Sequence, residues 1–387
     1  MSARRLAVLA AATALALAAC EPRKTPETEE PAAETDAAVL AEPAADVGSF
    51  DEIGVFTDPI AGLAVWAHPT LPYRGAIAVA VAGEALQLRD FEGSRLDRRI
   101  GGYSVGLDIV YLGRGRTADA IVVAVDRVDQ SFVFHRITPL PIAFENLDGR
   151  FPSGGATGFC LGTDHETASF TLYVVDGSPA VAARRFSVAG TEVSAEGVGA
   201  LRAETPLLRC AVDQRANVLY ALDRDGAVWR AGLSESAPRF EPLIDGAGPA
   251  EDIDLVLQSN AGTPAADRGQ IALLRGDAGA IVLHGLGTGE RLGAFKLVRY
   301  DGIAGVETPG AMATAFGNYG GVYRSGVAVV AERDASPAVR LAPWTAVANQ
   351  VGFALFDTLD PRWPAVEEPE PAIALPVIED NRERDRE

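Results

Sequence analysis

The chain is short of the residues that most often carry chemistry: its 387 residues include four histidines and three cysteines. His68, His135, His165 and His284 lie far apart with no metal-type spacing, which argues against a zinc centre built from them. The glycine-rich run "GDAGAIVLHGLGTGE" lacks the Lys-Ser/Thr pair of a phosphate loop and reads as turns between strands. Positive charge is scarce, with 34 Lys and Arg against 53 Asp and Glu and a net charge of -19. That balance argues against a nucleic-acid partner, because phosphate backbones are held by basic patches. No long stretch has the 3.6-residue period of an amphipathic helix.

At the N-terminus, "MSARRLAVLAAATALALAAC" has a basic head, a short apolar body and small residues at its end. This is the pattern of an export signal. The apolar run is too short for a membrane span, which needs roughly 20 residues. The ending Leu17-Ala18-Ala19-Cys20 resembles the lipobox of bacterial lipoproteins. The resemblance implies that residues 1–20 are a lipoprotein signal and that Cys20 is lipidated, becoming a stable membrane anchor. Glu21 after the cysteine implies the outer membrane, on its periplasmic face or surface.

Residues 21–48 are rich in Pro, Ala and Glu and are expected to be a disordered acidic tether; residues 366–387 are expected to be a charged tail. Between them, residues 49–365 are long enough to bury a large core. With Cys20 lipidated, Cys160 and Cys210 remain as a pair for which an oxidising compartment allows a disulfide; geometry decides it.

Six apolar runs resemble one another: "GAIAVAVAGEALQLRDF" from Gly75, "ADAIVVAVDRVDQSFVFHRI" from Ala118 and "SFTLYVVDGSPAVAARRFSV" from Ser169, then "NVLYALDRDGAVWRAGL" from Asn217, "GQIALLRGDAGAIVLHGL" from Gly269 and "GVAVVAERDASPAVRLAPW" from Gly326. Each reads as strand, polar turn, strand, and the starts recur every 43 to 57 residues. The expected fold is all-β, a six-bladed β-propeller of four-stranded antiparallel blades. A sandwich or a pair of small β domains is the main alternative.

The ordered blocks "AVWAHPTLPYRGAIAVAVAGEALQLRDFEG", "YSVGLDIVYL", "ADAIVVAVDR", "TGFCLGTDHETASFTLYVV", "RCAVDQRANVLYALDRDGAVWR" and "DIDLVLQSN" resemble the β-propeller phytases over about residues 53 to 350. That resemblance implies stepwise hydrolysis of phosphomonoesters from phytate, with calcium held by carboxylates at the top of the channel. It maps metal ligands onto Asp108, Asp223 and Asp254, and a catalytic phosphate clamp onto Arg127 with Asp108 beside it. Several family carboxylates are replaced: Ala61, Gly62 and Leu63 precede Trp66, Leu208-Arg209 precede Cys210, and Pro309 and Met312 stand in the late block, with Glu307 and Asp301 nearby. An Asp between strands is also the residue that caps its own turn.

Two functions therefore stay open. One is a calcium-dependent phosphomonoesterase. The other is a catalytically degenerate propeller whose channel mouth binds a small ligand or an envelope component. In both, the membrane is engaged through the lipid anchor and the chain is expected to act as a monomer. His68 and Trp66 are expected to be strand-end packing.

Overall fold

The computed structural model describes residues 43–355, apart from 114–118, 165–166, 168, 236, 247, 249–252, 260–268, 277 and 334–335. The expected signal with Cys20, most of the expected tether and the expected 366–387 tail lie outside the described residues.

Two short strands come first, β1 (Ala45–Gly48) and β2 (Asp51–Val55). The first blade is β3 (Ile60–Trp66), β4 (Ala76–Val81), β5 (Ala85–Arg89) and β6 (Arg95–Ile100). The second is β7 (Tyr103–Leu112), β8 (Asp119–Asp126), β9 (Ser131–Pro139) and β10 (Ile142–Asn146), with β11 (Phe151–Pro152) added beside β9. The third is β12 (Gly158–Asp164), β13 (Ser169–Val175), β14 (Ala180–Ala189) and β15 (Glu192–Arg202). The fourth is β16 (Leu207–Asp213), β17 (Val218–Asp223), β18 (Val228–Gly232) and β19 (Glu241–Ile244). The fifth is β20 (Ile253–Ser259), β21 (Gly269–Arg275), β22 (Ala280–Gly285) and β23 (Arg291–Val298). The sixth takes β24 (Pro309–Ala315), β25 (Val327–Glu332) and β26 (Ala338–Pro343) from the end of the chain and β2 from its beginning.

The inner strands β3, β7, β12, β16, β20 and β24 each touch the next, and β24 touches β3, so the ring is closed. The protein is a six-bladed β-propeller of four-stranded antiparallel blades. The six repeated sequence runs are the second and third strands of the six blades. These strands are apolar on both faces because each face meets a neighbouring blade. In β4, Ile77, Val79 and Val81 pack toward the sixth blade, while Ala76, Ala78 and Ala80 pack toward the second. The result is six interblade cores, one per junction. Fully burying each Val, Leu or Phe there stabilises the fold by about 1.5–3 kcal/mol.

The tether expectation needs one correction. Residues 45–48, assigned to it, form β1, which pairs in parallel with β23 and buries Val47 at 1 % exposure. Val47 and Ala45, the two apolar side chains that dock this strand, are too short a signal to separate it from the Pro/Ala/Glu sequence before it. The helix α1 (Trp344–Val351) follows the last blade and buries Trp344, Val347 and Ala348 against the fifth and sixth blades. At eight residues it is too short to show a period.

Candidate functional site: the mouth of the central channel

The six inner strands enclose a cavity of about 440 Å³. At the mouth where these strands begin, four of them, β3, β7, β16 and β24, shift register against their neighbours. Such bulges re-aim side chains at a rim. In β7 the pairing jumps from Ser104 opposite Val125 to Leu107 opposite Ala124, and the intervening Val105 and Gly106 take φ of 67° and 98°. A β-branched residue at such a φ is strained, and strain of this kind persists only where the surroundings hold it.

Gly62 has a packing reason. A Cβ there would lie 2.3 Å from the Leu107 backbone nitrogen, so the approach of β7 to β3 leaves no room for any side chain. Trp66 and His68 are scaffold. Trp66 is 2 % exposed, the two rings meet edge to face at 5.4 Å, and His68 Nδ1 accepts from the Thr70 and Leu71 amides to close the strand end.

Two of the expected ligands, Asp108 and Asp254, do line the channel. Asp108 divides its oxygens between the amides of Ile109 at 2.7 Å and Leu161 at 2.8 Å, tying the second blade to the third. Burial pushes its carboxyl up to about 7, against the pull of those two amides. Asp254 accepts from the Leu255 amide at 3.0 Å and has Arg209 Nε at 3.7 Å. Its side chain is 36 % exposed, but into the enclosed channel. Desolvation raises its pKa, opposed first by Arg209.

The structure does not bring the other expected residues to this place. Asp223 is 4 % exposed and spends its carboxylate on its own turn, accepting from the amides of Asp225 and Ala227 and from Trp229 Nε1 at 2.8 Å. It is the turn cap that its position between strands allows. Arg127 is exposed in the turn between β8 and β9, where its amide donates to the Gly102 carbonyl. Neither residue lines the channel, nor do Asp301 and Glu307. Among the described residues no group of three or more His, Cys, Asp or Glu is placed to hold a metal ion. Calcium takes six to eight oxygen ligands. Two aspartates already bonded to backbone amides or facing an arginine do not fit it.

What sequence reasoning missed is Arg209. Its Nη1 donates to the carbonyls of Thr157 at 2.9 Å and Leu208 at 3.0 Å, so the guanidinium is anchored across the junction of the third and fourth blades beside Asp254. Its departure from the family pattern was the available signal. Arg333 also lines this mouth, its guanidinium lying against Gly276, where a Cβ would be 2.7 Å away. Cys160 and Cys210, left open by the sequence, are joined in a disulfide that links β12 to β16 in the channel wall.

The expectation that the chain carries no Gly-x-Ser-x-Gly nucleophile motif needs a correction, since "GYSVG", residues 102–106, fits that pattern. The elbow needs a strand-to-helix turn, whereas Ser104 lies within β7. Its Oγ is buried without a hydrogen-bond partner, and His68, His135 and His284 each engage Nδ1 elsewhere.

Fold and channel together define a closed six-bladed propeller with a charged mouth. No protein-family model matches the chain, and no curated protein matches it in sequence. Among solved structures it is similar to BBS1N, in a crystal structure of its complex with ARL6DN soaked with lead, at 12% identity over 70% of this chain and 76% of that one, with a TM-score of 0.40. It is similar to the Myceliophteria thermophila Cps50 (Swd1) β-propeller domain at 10% identity over 73% of this chain and 82% of that one, with a TM-score of 0.39. Neither likeness bears on function.

Proposed function

We propose that this chain is a binding propeller of the cell envelope, whose channel mouth takes a small anionic ligand, rather than a calcium-dependent phytase. The observation that carries the reading is Arg209 at the channel mouth, held ready by two backbone carbonyls, with no carboxylate cluster placed to hold a metal ion among the described residues. A guanidinium fixed in this way recognises carboxylate or phosphate with little loss of side-chain freedom. The cavity volume of about 440 Å³ suits a small molecule. Asp254 moderates the positive charge, and protonation of Asp108, whose carboxyl burial raises to about 7, removes a competing negative charge from the channel.

The phytase resemblance supplies the competing reading, with phytate as substrate and Arg127 on a phosphate. Both are tested by phosphate release from phytate by the purified chain, with calcium titrated from none to several millimolar against an EDTA control. The expected result is no release above the control and no calcium-induced rise in melting temperature. Phytate without calcium is expected to raise the melting temperature, and Arg209→Ala to abolish that rise. Calcium-dependent release that falls in Arg127→Ala would return the chain to the phytases. Anchoring through Cys20 is part of the same proposal. Cys20→Ala is expected to move the protein from the membrane fraction to the soluble envelope fraction, and unchanged fractionation would remove the anchor from the reading.

A further inference from the structure

The chain joins the ring on the side opposite the channel mouth. The inner strand β20 begins at the mouth and ends at Ser259, opposite Gly269; β22 reaches the same far end, where β23 starts with Arg291 opposite His284. β1 lies parallel to β23, with Ala45 opposite Phe295 and Gly48 opposite Val298. It therefore also runs toward the mouth, and its first residue is the one nearer the far face. The anchor proposed at Cys20 is thus attached from that face.

Two loops project from the same face where the sixth and first blades meet: residues 67–75, between β3 and β4, and residues 316–326, between β24 and β25. They form one surface, since a Cβ on Gly320 would lie 2.7 Å from the Tyr73 Cβ. Beneath them Tyr319 and Tyr323 each pack on Phe91 with ring centroids 5.5 Å apart. The His68 cap fixes the first loop, and Asn318 Oδ1, accepting from the Gly320 amide, fixes the second. On this base Tyr73 is 64 % exposed and Val322 49 %, and Arg74 and Arg324 are exposed next to them. Neither arginine forms an ion pair among the described residues, whereas Arg98, Arg136, Arg150 and Arg340 each face a carboxylate. The acids at this corner are Glu92, exposed in the β5–β6 turn, and Asp90 and Asp51, half-buried and accepting from the Ser94 amide and the Tyr323 hydroxyl.

We infer that this corner of the far face rests on the anionic headgroups of the bilayer that holds the anchor, with Arg74 and Arg324 on lipid phosphates, Tyr73 and Val322 at headgroup level, and the channel mouth turned away from the membrane. Tyrosine suits that depth because its ring is apolar and its hydroxyl wet, and an arginine can lay its stem on apolar surface while its charge meets phosphate. Two arginines hold a protein only weakly to such a surface, so the corner orients a molecule that the anchor already retains. The inference rests on the Cys20 anchor for the side of approach and does not depend on the channel reading.

The test places a nitroxide on Val322→Cys or, as the control, on Val128→Cys, which is 88 % exposed in the β8–β9 turn on the mouth side. The full chain is mixed with vesicles of phosphatidylglycerol and phosphatidylethanolamine, and label depth is read by power saturation against the chain without the added cysteine. The Val322 label is expected to meet lipid and the Val128 label to stay in water. Arg74→Glu with Arg324→Glu is expected to lower the fraction in contact at least about tenfold, each arginine near an anionic surface being worth roughly fivefold. The melting temperature of that variant should be unchanged, since both side chains are exposed. Lipidation of Cys20 is read separately, from the mass of the chain, so loss of the anchor and loss of the face are told apart. A Val322 label that meets lipid in an unlipidated chain keeps the inference. A Val322 label as aqueous as the Val128 label, or contact that survives the double charge reversal, would overturn it.

Discussion

Tyr323 donates its hydroxyl proton to the carboxylate of Asp51, joining residues 272 positions apart across the seam where the first strand of the ring completes the last blade. The same seam carries the ion pair of Glu52 with Arg340 at 2.9 Å, and Arg340 Nε donates to the Ala304 carbonyl. Closure thus rests on β2, five residues at the start of the described chain.

Tyr323→Phe removes the seam hydrogen bond and leaves the Asp51 carboxylate without that donor. The expected loss is about 1.5–3 kcal/mol, the range for hydrogen bonds to charged groups, read from the urea midpoint. Burial, with Asp51 adding to it, raises the pKa of Tyr323, so the phenol stays protonated up to pH 9 and keeps its donor there. An unchanged midpoint would remove Tyr323 from the closure.

Reduction of Cys160–Cys210 opens a link between residues 50 positions apart. Loop-closure entropy for a loop of that size is about 4 kcal/mol. Cys160→Ser with Cys210→Ser is expected to lose much of that stability in denaturant melts under non-reducing conditions, and the variant should no longer respond to reductant. A wild type insensitive to reductant would contradict the link.

Gly62→Ala is expected to destabilise the fold by at least about 1–3 kcal/mol, the usual cost of overpacking, because its Cβ would strike the Leu107 backbone. Gly62→Asp, which places a carboxylate where the phytase resemblance expects one, should be worse and should gain no calcium affinity. Wild-type urea midpoints for both would show that β3 and β7 can separate.

Asp108 provides a pH test with a definite sign. Its folded pKa, about 7, lies above the unfolded value of 3.8 because the channel wall desolvates it. The folded state therefore binds the extra proton, and the stability from this group is full below pH 4 and is lost as pH rises through 7. Melting temperatures of wild type and Asp108→Asn from pH 4 to 8 should converge in slope only outside this window, the variant being flatter within it. Parallel profiles would mean that Asp108 titrates as an ordinary carboxylate.

How much was legible beforehand depends on which interactions make each feature. The second and third strands of every blade were readable because both of their faces are buried, which forces continuous apolar runs such as Ala76–Val81 and residues 327–331. The turn role of Asp223 was also open in the sequence, since a turn cap is local chemistry. β1 was not legible, because a single buried Val47 on a four-residue strand leaves no pattern.

The sequence by itself determined an all-β chain of six repeated units, with two cysteines able to pair, since these follow from residue type and near-neighbour spacing. Only the tertiary structure decided which charged residues line the channel. Asp108, Arg209 and Asp254 come from three different blades, whereas Asp223 and Arg127 stay in their own turns. The reason is geometric: ring closure and the bulges at the channel mouth set which side chains face inward, and closure depends on contacts hundreds of residues apart.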